Sequence, residues 1–225
     1  MCDFADSPKS MIPLKNIVSK ALGGTYVTNI RIGDSDFGDL VNGYLVTMDD
    51  EVEHFADAIK ADPKLASGFH ALGYSQGNLL IGGYIQRYND PPVINWVSIH
   101  GPKLDVASIP KCKANLLICE AIDDLLSIPA YTPFTQNHLA QTNYLRLPYD
   151  RADLNGEKEG QSINTNYGVN FGKVQKMAFV KAKIDTTVDL PESERLVDNV
   201  LISCGHFFAK LIPVTRYGYQ VELLR

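Results

Sequence analysis

The chain has 225 residues, 45% hydrophobic and 21% charged, enough length and apolar content for one α/β domain with a substantial core. The formal net charge of −5, with Lys and Arg scattered along the chain, leaves no electrostatic footprint for a nucleic acid. No stretch is uniformly apolar for the ~18 residues a membrane span needs, and with neither a CxxC pair nor a Cys/His zinc spacing no metal or cofactor is expected.

In chain order, "MIPLKNIVSKAL" (11–22) places apolar residues at helical intervals and stops at Gly23-Gly24. "TYVTNIRI" (25–32) is predicted as a strand. "MDDEVEHFADAIKADP" starts with acidic residues that suit a helix N-terminus, keeps Val52, Phe55, Ala56 and Ile59 on one face, and ends before Pro63. "GFHALGY" reads as a buried strand, "GNLLIGGYIQRY" as a helix and "PPVINWVSI" as the next strand, giving a βαβαβ rhythm and a mostly parallel sheet flanked by helices.

From Gly101 to about Gly172 that rhythm breaks. "YDRADLNGEKEGQSINTNYG" is polar and rich in Gly and Asn, whereas "ANLLICEAIDDLLSI" is apolar at helical spacing, so residues 101–172 are expected to form an insertion lying over the sheet as a lid. The sheet pattern resumes with "KMAFVKAKI" (176–184), followed by "PESERLVD" as a short helix and "NVLISC" as a last strand. One domain over 1–225 accounts for the whole pattern.

Gly73-Tyr74-Ser75-Gln76-Gly77 fits G-x-S-x-G with a predicted strand before it and a helix after it. A serine on such a turn projects above the sheet edge, beside a helix N-terminus that stabilises negative charge. It needs a general base, and the base needs a carboxylate, in the chain order serine, acid, histidine. Of His54, His70, His100, His138 and His206, only His206 follows an acid placed after a strand beyond the elbow. His54 lies on an outer helix and His70 precedes the elbow in its own strand; both are expected to be structural. His100 ends a strand near the site without a carboxylate ahead of it in that order. Asp185 and Asp189 both follow strand 176–184 and are the candidate acids. Cys112 and Cys119 bracket a short loop, and spacing alone allows either a disulfide or two reduced thiols.

With "GYSQGN", "DPKLASGFHALGYSQG", "DPPVINWVSI" and "TTVDLPESE" in view, the chain resembles the palmitoyl-protein thioesterases, α/β-hydrolases that cleave long-chain acyl thioesters from protein cysteines. The resemblance runs from residue 1 to about 195. It implies the α/β-hydrolase fold, Ser75 as nucleophile, Asp189 as acid and His206 as base, with the backbone N–H groups of Gln76 and Met1 as oxyanion donors. It places Cys112 and Cys119 where the family carries a disulfide in its lid. S-acylated proteins and their long-chain acyl groups are the implied partners, and the apolar face Ile118, Ile122, Leu125 and Leu126 is the candidate acyl wall, or else the lid's own core.

Several features depart from the family. A central strand ending in His-Gly is implied ahead of Met1, between "TYVTNI" and "GFHALG", so the chain is expected to be an N-terminally truncated member. Only 16 residues separate Asp189 from His206, fewer than the family has, so the chain is expected to be C-terminally shortened as well. A rival alignment sets "GHFFAKLIPV" against a segment soon after the acid, and then His206 is not the base. The family is lysosomal or secreted, whereas "MCDFADSPKSM" is no signal peptide and no N-x-S/T sequon occurs. The alternatives are an impaired member that at most binds acyl chains, and a lipase- or carboxylesterase-like hydrolase.

Overall fold

The computed structural model describes residues 11–102, 124–125, 127–145, 165–182, 210–214 and 219–224. Helix α1 (Ile12–Ala21) ends before Gly23 and Gly24, whose φ values of +64° and +84° are left-handed, as the predicted stop requires. Helix α2 (Asp36–Leu45) is capped by Ser35, whose Oγ accepts from the Gly38 N–H at 3.0 Å. Helix α3 (Met48–Ala61) is capped by Thr47, and its expected inward face of Val52, Phe55, Ala56 and Ile59 is buried. Strand β1 (Phe69–Tyr74), helix α4 (Gly77–Arg87) and strand β2 (Val93–Ile99) follow within about two residues of their predicted bounds.

Beyond them lie α5 (Pro133–His138), α6 (Ala140–Asn143), α7 (Thr165–Phe171) and the strands β3 (Lys176–Ala182), β4 (Lys210–Val214) and β5 (Tyr219–Leu224). The sheet order is β1-β2-β3-β5-β4. β1, β2 and β3 are parallel, whereas β5 pairs antiparallel with both β3 and β4. This is an α/β arrangement, and its core fills the space between the sheet and α3 and α4. Tyr84 is fully buried there, with its ring 5.6 Å from Phe55 and 5.9 Å from Phe69. Fully burying an aliphatic or aromatic side chain contributes roughly 1.5–3 kcal/mol, so the shared face of α3 and α4 holds this layer to the sheet. Although α7 lies inside the span expected as a lid, it packs on α4: Asn89 Nδ2 donates to the Asn170 carbonyl at 3.0 Å, and Trp96 meets Phe171 edge-on.

Three elements differ from expectation. Residues 25–32 are not a strand, because β composition makes a strand only when a ladder partner is present. The segment is pinned instead by Tyr26, which donates to Asp62 at 2.6 Å, and by the Lys64 ammonium over the Tyr26 ring. Helix α2 was not anticipated although Phe37, Leu40, Val41, Tyr44 and Leu45 recur at helical spacing, because Gly38, Asp39, Asn42 and Gly43 between them favour turns. Tertiary bonds hold it: Asp39 Oδ1 accepts from Ile32 N–H at 2.7 Å and Gly33 N–H at 3.3 Å, and Asn42 Nδ2 donates to the Ile32 carbonyl. Among the described residues the last strands are β4 and β5, which follow "NVLISC"; that segment, like "PESERLVD", lies outside the described residues. Pro213 is tolerated because β4 is, among the described residues, the terminal strand at its edge of the sheet.

Among the described residues β1 is the terminal strand at the other edge. The Phe69 and Ser75 N–H groups bond toward β2, so the backbones of His70 and Leu72 face outward. On that side lies a cavity of about 450 Å³ between β1 and residues 25–32, with Val27, Ile30, Phe55, Ile59 and Ala71 in its walls.

Candidate active site

β1 runs into the strand-to-helix turn at Ser75, whose φ is +49°, a left-handed backbone rare for a residue with a Cβ. Such strain costs about 1–3 kcal/mol and persists where the surroundings over-determine it. Here they do. Ser75 N–H donates to the Ile99 carbonyl at 3.0 Å, and the Ser75 carbonyl accepts from Asn78 N–H at 3.0 Å and from Asn78 Nδ2 at 3.1 Å. Asn78 Nδ2 also donates to the Ile99 carbonyl at 3.1 Å, and Asn78 Oδ1 accepts from Trp96 Nε1 at 3.2 Å. This side chain is 1% exposed and ties the turn to the end of β2. A Cβ on Gly73 would lie 2.3 Å from Asn78 Oδ1, and one on Gly101 would lie 2.5 Å from Asn78 Cβ, so both glycines make room for this clamp.

Gln76 follows with helical backbone (φ −52°, ψ −32°) as the residue before α4. Its backbone N–H has no acceptor among the described residues. The side chain is 2% exposed and fully engaged. Nε2 donates to the Gly43 carbonyl and to both Glu51 carboxylate oxygens, each at 3.1 Å, while Oε1 accepts from Tyr144 OH at 3.0 Å and Gln141 Nε2 at 3.3 Å. Gln141 Nε2 reaches the Gly43 carbonyl as well, at 2.8 Å. One buried amide thereby joins α2, α3, α6 and the elbow. The partners of Gln76 were not anticipated from sequence, although Glu51 carried a signal: it stands four residues before Phe55 and eight before Ile59, a carboxylate on the inward face of α3.

His100 sits one residue past β2, beside Ser75 at the same sheet edge, also at a φ of +49°. Its N–H donates to the Val180 carbonyl at 2.9 Å and its ring stands edge-on to Tyr74 at 5.7 Å. His54, His70 and His138 are exposed, His70 beside Asn95 and His138 stacked on Phe134. Leu125 is half-buried in a helical turn whose carbonyl accepts from Ile128 N–H at 3.2 Å. Met1, Cys112, Ile118, Cys119, Ile122, Leu126, Asp185, Asp189 and His206 lie outside the described residues. Among the described residues no three His, Cys, Asp or Glu side chains are grouped as metal ligands, and no helix is long and apolar enough to cross a membrane.

A strand–turn–helix elbow with an N–H beside the serine that has no acceptor among the described residues is the frame of acyl-transfer chemistry, and the comparisons point the same way. The chain is 33% identical over 195 residues to palmitoyl-protein thioesterase 3 of Dictyostelium discoideum, covering 82% of this chain and 64% of that protein. It is 29% identical over 198 residues to palmitoyl-protein thioesterase 1 of Caenorhabditis elegans, covering 84% and 65%. A palmitoyl-protein thioesterase-dolichyl pyrophosphate phosphatase fusion of Schizosaccharomyces pombe is 29% identical over 183 residues, 77% of this chain and 29% of the fusion. The chain thus spans just under two thirds of the length of the first two. Since the palmitoyl protein thioesterase family model matches residues 1–201, with Ser75 and its clamp inside the match, the chain belongs to that family.

Proposed function

We propose that this chain is a serine hydrolase that cleaves long-chain acyl thioesters, palmitoyl above all, from protein cysteines. The left-handed φ of +49° at Ser75, in a strand-to-helix turn, is the observation that carries this reading. Ser75 Oγ attacks the thioester carbonyl carbon while His206, oriented by Asp189, takes the hydroxyl proton. The Gln76 N–H, with a second donor at Met1, stabilises the oxyanion. The carbon–sulfur bond breaks, and the imidazolium returns the proton to the departing cysteine thiolate. Water, deprotonated by the same imidazole, then attacks the acyl-serine, releasing the fatty acid and restoring the Ser75 hydroxyl.

The acyl chain lies along Ile118, Ile122, Leu125 and Leu126, each buried methylene contributing about 0.8 kcal/mol. A disulfide between Cys112 and Cys119 and a lysosomal or secreted setting belong to the same reading. The test is hydrolysis of a palmitoyl-cysteine peptide thioester by wild type and Ser75→Ala. Loss of a nucleophile removes about 10⁴-fold or more of turnover; equal rates for the two proteins would remove Ser75 from the reaction. The matching oxygen ester, run alongside, separates a thioesterase from a carboxylesterase or lipase-like enzyme.

A further inference from the structure

Carbonyl and N–H of one trans peptide point in opposite directions, so whatever holds the Ser75 carbonyl also aims the Gln76 N–H. That carbonyl accepts two bonds from Asn78, one from its backbone N–H at 3.0 Å and one from Nδ2 at 3.1 Å. The backbone bond belongs to the first turn of α4 and exists whatever side chain stands at 78. The Nδ2 bond is an addition peculiar to asparagine, and it is rigid. The other Nδ2 hydrogen serves the Ile99 carbonyl, Oδ1 is held by Trp96 Nε1, and Gly73 and Gly101 close over the side chain. At the far end of the same peptide unit, the buried Glu51 carboxylate accepts from Gln76 Nε2 and fixes the side chain of the residue whose N–H is being aimed.

From this juxtaposition we infer that Asn78 and Glu51 are positioning residues: between them they lock the peptide joining Ser75 and Gln76, so that its N–H faces the point above the serine hydroxyl where an acyl oxygen gains charge. Neither touches the reacting atoms. The inference rests on the hydrolase reading for its kinetic consequence only, because the orientation of the peptide is a property of the folded chain. Freed from Asn78 Nδ2, the strained Ser75 backbone has one fewer restraint against rotating the peptide. The N–H then spends less time on the oxyanion, which lowers the chemical step and leaves ground-state acyl binding alone.

The experiment compares Asn78→Ala and Glu51→Gln with Tyr84→Phe as a control for general loss of stability. Tyr84 OH donates to the buried Pro91 carbonyl at 2.6 Å, away from the elbow, so its loss weakens the fold without touching the peptide. Removing an oxyanion donor outright costs about 10²–10³-fold in kcat, and misaiming one is expected to cost about 10–100-fold in Asn78→Ala. Glu51→Gln should cost about 3–30-fold, since the replacement sets an amide N–H₂ or a single acceptor where two carboxylate oxygens stood. In both variants KM should stay within about twofold, and in Tyr84→Phe kcat should stay within about twofold. A kcat for Asn78→Ala no lower than that of Tyr84→Phe overturns the inference.

The second readout needs no catalysis. In ¹H–¹⁵N spectra the Gln76 backbone resonance should shift more in Asn78→Ala and Glu51→Gln than in Tyr84→Phe, while the β1 and β2 amides remote from the turn stay put. A wild type that hydrolyses no thioester ends the hydrolase reading, yet the spectra still decide the peptide's orientation. An unmoved Gln76 resonance in both variants overturns the positioning role on its own.

Discussion

Gly73→Ala tests the clamp directly. The new Cβ would lie 2.3 Å from Asn78 Oδ1, 2.7 Å from Asn78 Cγ and 2.9 Å from Ile81 Cδ1. Ile81 can shift its terminal methyl. Asn78 cannot yield without breaking the Nδ2 bonds to the Ser75 and Ile99 carbonyls and the Oδ1 bond from Trp96. If Asn78 stays, the cost is overpacking, about 1–3 kcal/mol. If it leaves, the Trp96 N–H loses its partner in a buried setting at about 1–3 kcal/mol, whereas the Ile99 carbonyl keeps the Ser75 N–H and the Ser75 carbonyl keeps the Asn78 N–H. By either route the expected loss is therefore about 1–3 kcal/mol, a sizeable part of a stability of ~5–15 kcal/mol. Urea denaturation of wild type, Gly73→Ala, Asn78→Ala and the double variant reads it. Truncating Asn78 removes the atoms the new methyl strikes, so the double variant should be more stable than the summed single losses by about 1 kcal/mol or more. Simple additivity would refute the steric argument.

Two further outcomes follow from the same geometry. Ser75→Gly removes both the hydroxyl and the Cβ that makes a φ of +49° costly, so it should raise stability by up to about 1 kcal/mol while abolishing acyl transfer; a lower melting temperature would argue that Ser75 is not strained. Burial pushes the Asp39 carboxyl above its usual 3.8, against the lowering effect of the Ile32 and Gly33 N–H groups. A raised folded-state value means that Asp39 contributes fully below its unfolded value and that this contribution is lost as pH rises through the folded one. Measured against Asp39→Asn, wild type should accordingly lose urea stability as pH climbs from about 4 and level off above the folded value; a difference constant with pH would mean that the carboxyl is not desolvated.

The parts of the fold readable in advance were those whose signal is local. The period of α3 exposes its face at Val52, Phe55, Ala56 and Ile59, and all four are buried. The left-handed glycines stop α1 where the Gly-Gly pair predicts, and the glycines around Ser75 announce a tight turn that the backbone makes. What was misread depends on partners distant in sequence. Residues 25–32 have strand composition without a ladder among the described residues, whereas in α2 the turn-forming residues obscure an apolar helical period, and Asp39 and Asn42 tie the helix back to Ile32. The hairpin of β4 and β5 turns the end of the sheet antiparallel, which no feature of "KLIPV" signals. At the site, the pentapeptide identifies the serine but not its supports.

What the amino-acid order determined by itself is the position of the nucleophile candidate, because G-x-S-x-G between an apolar strand and a helix is a statement about neighbours along the chain. What only the tertiary structure decided is how that turn is held. Gln76 meets Glu51 across 25 residues, Gln141 across 65 and Tyr144 across 68, and Asn78 meets Ile99 across 21. A buried amide must find its partners wherever the packed chain brings them, so these contacts have no period or spacing to show beforehand.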